Sequence, residues 1–108
     1  MAGRLDRGEV RLVRFAAPDK ERPAVILTRS SVLDYLGSVT VAPISSTIRD
    51  VPSQVRLGAD DGMKVPCAIN AHNLVTLRKE LIGRRVARLS EARMHELCGA
   101  VAFSLGCD

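Results

Sequence analysis

The sequence predicts an α+β chain that is mostly antiparallel β, a small barrel of short strands followed by a C-terminal amphipathic helix. Apolar segments of strand length recur roughly every 8 to 15 residues, a spacing that marks all-β sandwiches and barrels. No regular helical crossover separates them, which argues against a parallel sheet. Helical periodicity sustained over several turns is found from Ser90 onward. With 108 residues, 46% apolar and 26% charged, the chain is expected to form one domain. It is small enough that pairing with a second copy would help it bury surface.

The elements follow in order. Gly8–Phe15 reads as a first strand, with Val10 and Leu12 on one face and Val13 and Phe15 on the other. Glu9, Arg11 and Arg14 suggest that it is partly exposed. Residues 1–6 are expected to be flexible. A polar loop, Ala16–Glu21, turns the chain as a hairpin into Pro23–Thr28. The continuous run Val25-Ile26-Leu27 predicts a strand buried on both faces, and Pro23, which lacks an N–H, suits its first residue. Arg22 is then left at the strand's mouth with its backbone held extended. Ser30–Gly37 has a capping serine, three apolar residues and a closing glycine, and predicts one or two helical turns.

Ser38–Ile44 alternates as a strand and runs into the hydroxyl row Ser45-Ser46-Thr47. Gln54–Leu57 predicts a short strand and Ala59–Gly62 a turn. Val65–Asn70 is expected to be another buried strand, followed by Leu74–Leu77 and then Leu81–Val86. In the last element Ser90 caps a helix with Met94, Leu97, Cys98, Val101 and Leu105 on one stripe, and Gly106 closes it.

Composition narrows the function. The net charge of +4 and pI near 9.4 come almost wholly from arginine, 13 against 3 lysines, a bias toward polyanionic partners because the planar guanidinium matches phosphate. A mixed, solubilising surface accounts for the same number, since acids are interspersed and no basic block occurs. Three aromatics without tryptophan argue against binding that relies on base stacking. No apolar run approaches the ~18 residues of a membrane span, and the first residues lack a signal-peptide core, so a cytoplasmic protein with no membrane contact is expected. Cys67, Cys98 and Cys107 are widely spaced and without a CxxC, which makes a disulfide framework or zinc site improbable. Cys67 and Cys98 are read as core residues and Cys107 as an exposed tail thiol. The acids near Gly62 lack the spacing of a calcium loop, and neither His72 nor His95 has a local catalytic companion. No cofactor or metal is expected.

What remains is Arg22 and the rim Ser45–Thr47, each at the end of a buried strand. The alternatives are a solvated arginine that ends a loop and a serine-rich turn without chemistry. If the two strands are neighbours, guanidinium and hydroxyls converge on one phosphate. RNA brings its own nucleophile, so a sparse site suffices: the 2'-OH attacks the adjacent phosphate, and the protein holds geometry and stabilises charge.

Arg7-Gly8-Glu9-Val10, Arg22-Pro23-Ala24-Val25-Ile26-Leu27, Thr40-Val41-Ala42-Pro43-Ile44-Ser45-Ser46, and the closing Arg88-Leu89-Ser90 with Ser104-Leu105-Gly106 stand in the order and spacing of the MazF/PemK toxins. The chain resembles these ribonuclease components of bacterial type II toxin-antitoxin systems from about Arg7 to Gly106. The resemblance implies an SH3-like barrel with a C-terminal helix, a homodimer, and metal-independent, sequence-specific cleavage of single-stranded RNA through a 2',3'-cyclic phosphate. It also implies inhibition by an antitoxin with an acidic C-terminal segment. By position, Arg22 matches the family's catalytic arginine, stabilising the phosphate and donating a proton to the leaving 5'-oxygen. Ser45 matches its catalytic threonine, keeping the hydroxyl and losing the methyl that restricts the rotamer. Ser46, Thr47, Lys20, Asn73 and Thr76 are the candidate RNA-binding residues, Asn73 lying near a position where relatives read a base with glutamine. The loop 16–21 is several residues shorter than in many relatives, which implies recognition that is either looser or shifted onto other loops. Two other readings remain. One is a gyrase-poisoning toxin like the CcdB proteins, although their tryptophan-containing tail has no counterpart here. The other is an RNA- or antitoxin-binding protein that does not cleave.

Overall fold

In a computed structural model, residues 4–15 and 21–108 are described. Seven strands, all paired antiparallel, run as β1 (Glu9–Arg14), β2 (Glu21–Ile26), β3 (Ser38–Ser45), β4 (Gln54–Leu57), β5 (Cys67–Asn70), β6 (Val75–Arg78) and β7 (Ile82–Arg88). A one-turn helix, α1 (Ser30–Leu33), joins β2 to β3, and α2 (Glu91–Leu105) ends the chain. The order across the sheet is β4-β5-β3-β2-β1-β7, with β6 paired to β3 beside β5. The sheet is barrel-like in kind but open, because β4 and β7 are not paired to each other.

β3 makes this topology possible. One edge pairs with β2 at Val41, Ala42 and Pro43. The other pairs first with β6, from Ser38 to Val41, and then with β5, at Ile44 and Ser45. Thr40 directs its carbonyl to the β2 side, where it accepts from the Leu27 N–H at 2.9 Å. Main-chain groups alternate along a strand, so Pro43 turns its donorless nitrogen to the opposite edge, at the gap between β6 and β5. A proline is thus accommodated inside a central strand.

β2 is buried on both faces, as its apolar run predicts. Val25 joins the core beneath α2, with Ile44, Ile69 and Leu97, while Ala24 and Ile26 join a second core with Val13, Leu33, Val41 and Ile82. The strand nevertheless begins at Glu21, two residues before Pro23, since β1 lies alongside and pairs with Glu21, Arg22 and Pro23. Arg22 is therefore inside the strand. Other expectations are corrected in the same way. Glu9 and Arg11 are buried as an ion pair at 3.0 Å, and Arg11 also donates to the carbonyls of Gly83 and Arg4. Their charge is compensated locally, which is the condition under which charged side chains are found inside. Leu5 is buried and Asp6 bonds Arg88 at 2.8 Å and the Ser30 hydroxyl, so expected flexibility does not extend to these two residues. β5 begins at Cys67, leaving Val65 exposed. In α2 the fully buried contacts are Leu97 and Ala100, whereas Cys98 is exposed rather than in the core. Among the described residues no helix is long and apolar enough to cross a membrane.

α2 is secured at both ends and tied through its first turn to the segment after β4. The Ser90 side chain accepts from the Arg93 N–H, and Gly106 closes the helix at a left-handed φ of 72°. Arg93 also donates to Asp61, in the 3-10 turn after β4, at 2.9 Å. Burial opposes ionisation of Asp61 but is outweighed by hydrogen bonds from Arg93 and the Gly58 N–H, so its pKa lies below the ordinary value. Asp6 is likewise held low, first by the Ser30 hydroxyl and then by Arg88.

Two outcomes follow for stability. Leu97→Ala removes a fully buried side chain from the face that seats α2, and a loss of about 2–5 kcal/mol is expected in denaturant unfolding. The second concerns acid. The unfolded chain takes up protons at Asp6 and Asp61 near the usual ~3.9, the folded chain only at lower pH. Their contribution is complete above that value and is lost as pH falls from it through the lower folded values. Urea midpoints measured down to about pH 3 should fall in the wild type and fall less in Asp61→Asn.

Candidate active site

Where β2 and β3 run together, Ala24 pairs with Pro43, Val25 with Ala42 and Ile26 with Val41. Side chains alternate along a strand, so Arg22 shares the face of Ala24 and Ile26, and Ser45 shares that of Val39 and Val41. These are one face of the sheet, since all four apolar residues meet in one core. Continued by two residues, the register sets Arg22 across from Ser45. A cleft of about 580 Å³ opens there, and Arg22, Ser45 and Ser46 all line it. Leu12, Pro23 and Ile44 form apolar wall beside them, and Arg84 and Val86 on β7 with Met63, Lys64 and Val65 in the segment before β5 extend the lining.

The electrostatics of the cleft are one-sided. Among the described residues Arg22, Lys64 and Arg84 line it, and no carboxylate does. Cys67 also contributes to the wall, but burial and then the negative charge of Asp61 push its thiol above the ordinary value. It therefore stays neutral near pH 7 and acts as apolar surface, not as a nucleophile. Val65 and Val86 are exposed at the mouth, offering apolar contact next to the cations.

The β3–β4 loop orients the hydroxyl at the centre. The Thr47 N–H donates to the Ser45 Oγ at 3.0 Å, a local turn of the kind serine readily forms. With that lone pair engaged, the Ser45 O–H proton is left to donate to an acceptor in the cleft. An anion between Arg22 and Ser45 would meet a guanidinium on one side and a hydroxyl donor on the other.

The remaining candidates are placed differently. Thr47 is exposed and acts on Ser45 through its backbone without lining the cleft. Asn73 is in the exposed turn after β5, and its N–H bonds the Asn70 carbonyl at 3.4 Å. Thr76 pairs with Thr40 through their hydroxyls at 2.7 Å, on the half of β3 away from Ser45. Neither Asn73 nor Thr76 lines the cleft, because β6 takes the other half of β3. Lys20 and nearly all of the loop 16–21 lie outside the described residues. His72 bonds Ser53 at 2.8 Å and is also absent from the lining. Among the described residues no group of three or more His, Cys, Asp or Glu side chains is arranged to hold a metal ion.

A family model described as "PemK-like, MazF-like toxin of type II toxin-antitoxin system" matches residues 6–105. The chain belongs to this toxin family. "Probable endoribonuclease MazF2" of Mycobacterium tuberculosis strain H37Rv is 39% identical over 94 residues, covering 85% of this chain and 91% of that protein. The solved "Mycobacterium tuberculosis toxin MazF-mt6" superposes with a TM-score of 0.85 at 30% identity, covering 93% of this chain and 98% of that one. The fold is also that of an endoribonuclease in complex with its cognate antitoxin from a mycobacterial species, with a TM-score of 0.86, 24% identity and coverage of 96% and 97%. Across the toxin family's match, then, lie β1, the Arg22 strand, the Ser45 loop and the whole of α2.

Proposed function

We propose that this MazF-family chain is a toxin endoribonuclease that cleaves single-stranded RNA without a metal ion, by 2'-OH attack at the phosphate held between Arg22 and Ser45. The observation that supports this most directly is the cleft itself: among the described residues, Arg22, Ser45 and Ser46 share it with two further cations and no acid. Such a lining favours a polyanion and disfavours an acidic general site. Relatives named endoribonucleases at up to 39% identity point to RNA as that polyanion and weigh against gyrase as the target.

The chemistry proceeds by transesterification. The 2'-oxygen bonds to phosphorus and releases its proton to solvent, the P–O5' bond breaks, and the 5'-oxygen takes up a proton with Arg22 as donor. The products are a 2',3'-cyclic phosphate and a free 5'-OH, and the Arg22 side chain regains its proton from solvent. In the phosphorane, negative charge grows on the non-bridging oxygens, where the Arg22 guanidinium and the Ser45 O–H donate. Ser46 contacts the same phosphate or the neighbouring nucleotide. Lys64 and Arg84 bind flanking phosphates, and Val65 and Val86 give an unstacked base apolar surface. The protein acts as a homodimer, with exposed apolar Phe103 and Leu105 on α2 available for such a seam. Its antitoxin lays an acidic segment into the cleft, where the three cations would otherwise meet RNA phosphates.

An end-mapped digest of a long RNA in EDTA tests the reading: cyclic-phosphate ends at preferred sequences are expected, and intact RNA with relaxed plasmid accumulating in a gyrase assay would overturn it. Arg22→Ala should slow cleavage by about 10²- to 10³-fold, the scale for losing one transition-state donor, with Ser45→Ala less severe and Ser45→Thr tolerated. Single-turnover rates at saturating protein distinguish these. Lys64→Ala and Arg84→Ala should instead weaken RNA binding. Each should flatten the slope of log affinity against log salt by about 0.7, as expected for one phosphate contact on a single strand.

A further inference from the structure

The loop from Ser46 to Ser53 carries the hydroxyl row at its start, and one side chain at its far end holds it. Gln54, the half-buried first residue of β4, accepts from the Arg49 N–H at 2.8 Å through Oε1. Its Nε2 donates to the Thr47 carbonyl at 3.1 Å and to Asn70 Oδ1 at 2.6 Å. The partners dictate this orientation of the amide, since a backbone N–H requires an acceptor and a backbone carbonyl a donor. Both amide protons are thereby used, and no other uncharged side chain of similar length offers the same set.

Thr47 is consequently held through both of its main-chain polar groups. Its N–H donates to the Ser45 Oγ at 3.0 Å and its carbonyl accepts from Gln54. The loop between is closed by the Gln54 main-chain N–H on the Val51 carbonyl at 2.9 Å and by the Ala71 N–H on the Ser53 carbonyl at 2.8 Å. It also contains Asp50 at a left-handed φ of 53°, a conformation that a non-glycine residue keeps only when its surroundings enforce it.

We infer that Gln54 is a positioning residue of the phosphodiester site: by holding the Thr47 carbonyl it fixes the Thr47 N–H, which in turn orients the Ser45 hydroxyl toward the scissile phosphate. This rests on the endoribonuclease reading of the cleft. Gln54 does not line the cleft, whereas Lys64 and Arg84, assigned above to flanking phosphates, do. Loss of the clamp should therefore act on turnover and leave affinity nearly intact.

Gln54→Glu and Gln54→Met separate the contacts. Glutamate keeps an acceptor for Arg49 but has no donor for Thr47, and methionine loses both. On an RNA oligomer carrying the wild-type cut site, both variants should show kcat lower by about 10- to 100-fold, the scale of a small misplacement of a reacting group, with KM within about twofold. Amide hydrogen exchange of Thr47 should be faster in both, at an unchanged melting temperature for Gln54→Glu. Wild-type kcat in Gln54→Glu overturns the inference, as does a rise in KM with kcat unchanged. If the wild type cuts no RNA, it is the reading of the cleft that fails. Thr47 exchange then decides the clamp separately, and exchange unaltered by Gln54→Glu disproves it.

Discussion

One strand must serve three partners, and nearly everything else follows from that demand. β3 spends eight residues pairing with β2 along one edge and with β6 and then β5 along the other. Both faces of the strand are covered, one by the core beneath α2 and the other by the second core, and Ala42 and Ile44 on the first face and Val39 and Val41 on the second are buried accordingly. The transfer from β6 to β5 opens a gap on one edge, which Pro43 fills without leaving a donor unsatisfied. Beyond the gap β3 is nearly finished, so Ser45 emerges where the sheet parts. The proposed chemistry sits at this parting, where polar side chains reach solvent while their backbone stays tied to the sheet.

A second constraint fixes the other wall. β1 brings Glu9 and Arg11 into the interior as a pair that also ties down the carbonyls of Arg4 and Gly83. A Cβ at Gly83 would stand 2.9 Å from the Leu12 carbonyl oxygen, so β1 and β7 approach there as only glycine permits. The register between these strands shifts on both sides of Arg11. The irregular junction aims Leu12 from β1 and Arg84 and Val86 from β7 into the cleft. Replacing the ion pair with apolar residues of like volume need not destabilise the fold, since burial of two charges offsets much of their attraction. Its role here is to secure the chain leading into β1 and the turn of β7.

What was legible in the sequence was local. The run Val25-Ile26-Leu27 announced a strand buried on both faces, Ser90 and Gly106 bracketed α2, and the hydroxyl row after Ile44 stood out as a rim. These signals depend on neighbours in the chain or on a simple period. Lys64 and Arg84 escaped notice because nothing near them in the chain separates a cleft cation from any other surface cation; only the approach of β7 and the 62–65 segment to β2 does. Cys98 was misplaced for a related reason. It borders the apolar stripe by period, yet α2 meets the sheet through Leu97 and Ala100, a rotation that helical periodicity alone does not resolve. Glu9 and Arg11 read as exposed because charge usually is, and their compensation comes from each other and from carbonyls distant in sequence.

The division between the doubly buried middle of β2 and its open first residues has an evolutionary corollary. Ala24, Val25 and Ile26 are wholly enclosed, while Glu21 and Arg22 stand in solvent. Substitutions along the lip of the groove, at positions such as Ser46, Lys64 or Val65, disturb little of the packed interior. Descendants of one ancestral scaffold are thereby at liberty to drift in which nucleotides they favour, without first acquiring compensating changes in the core.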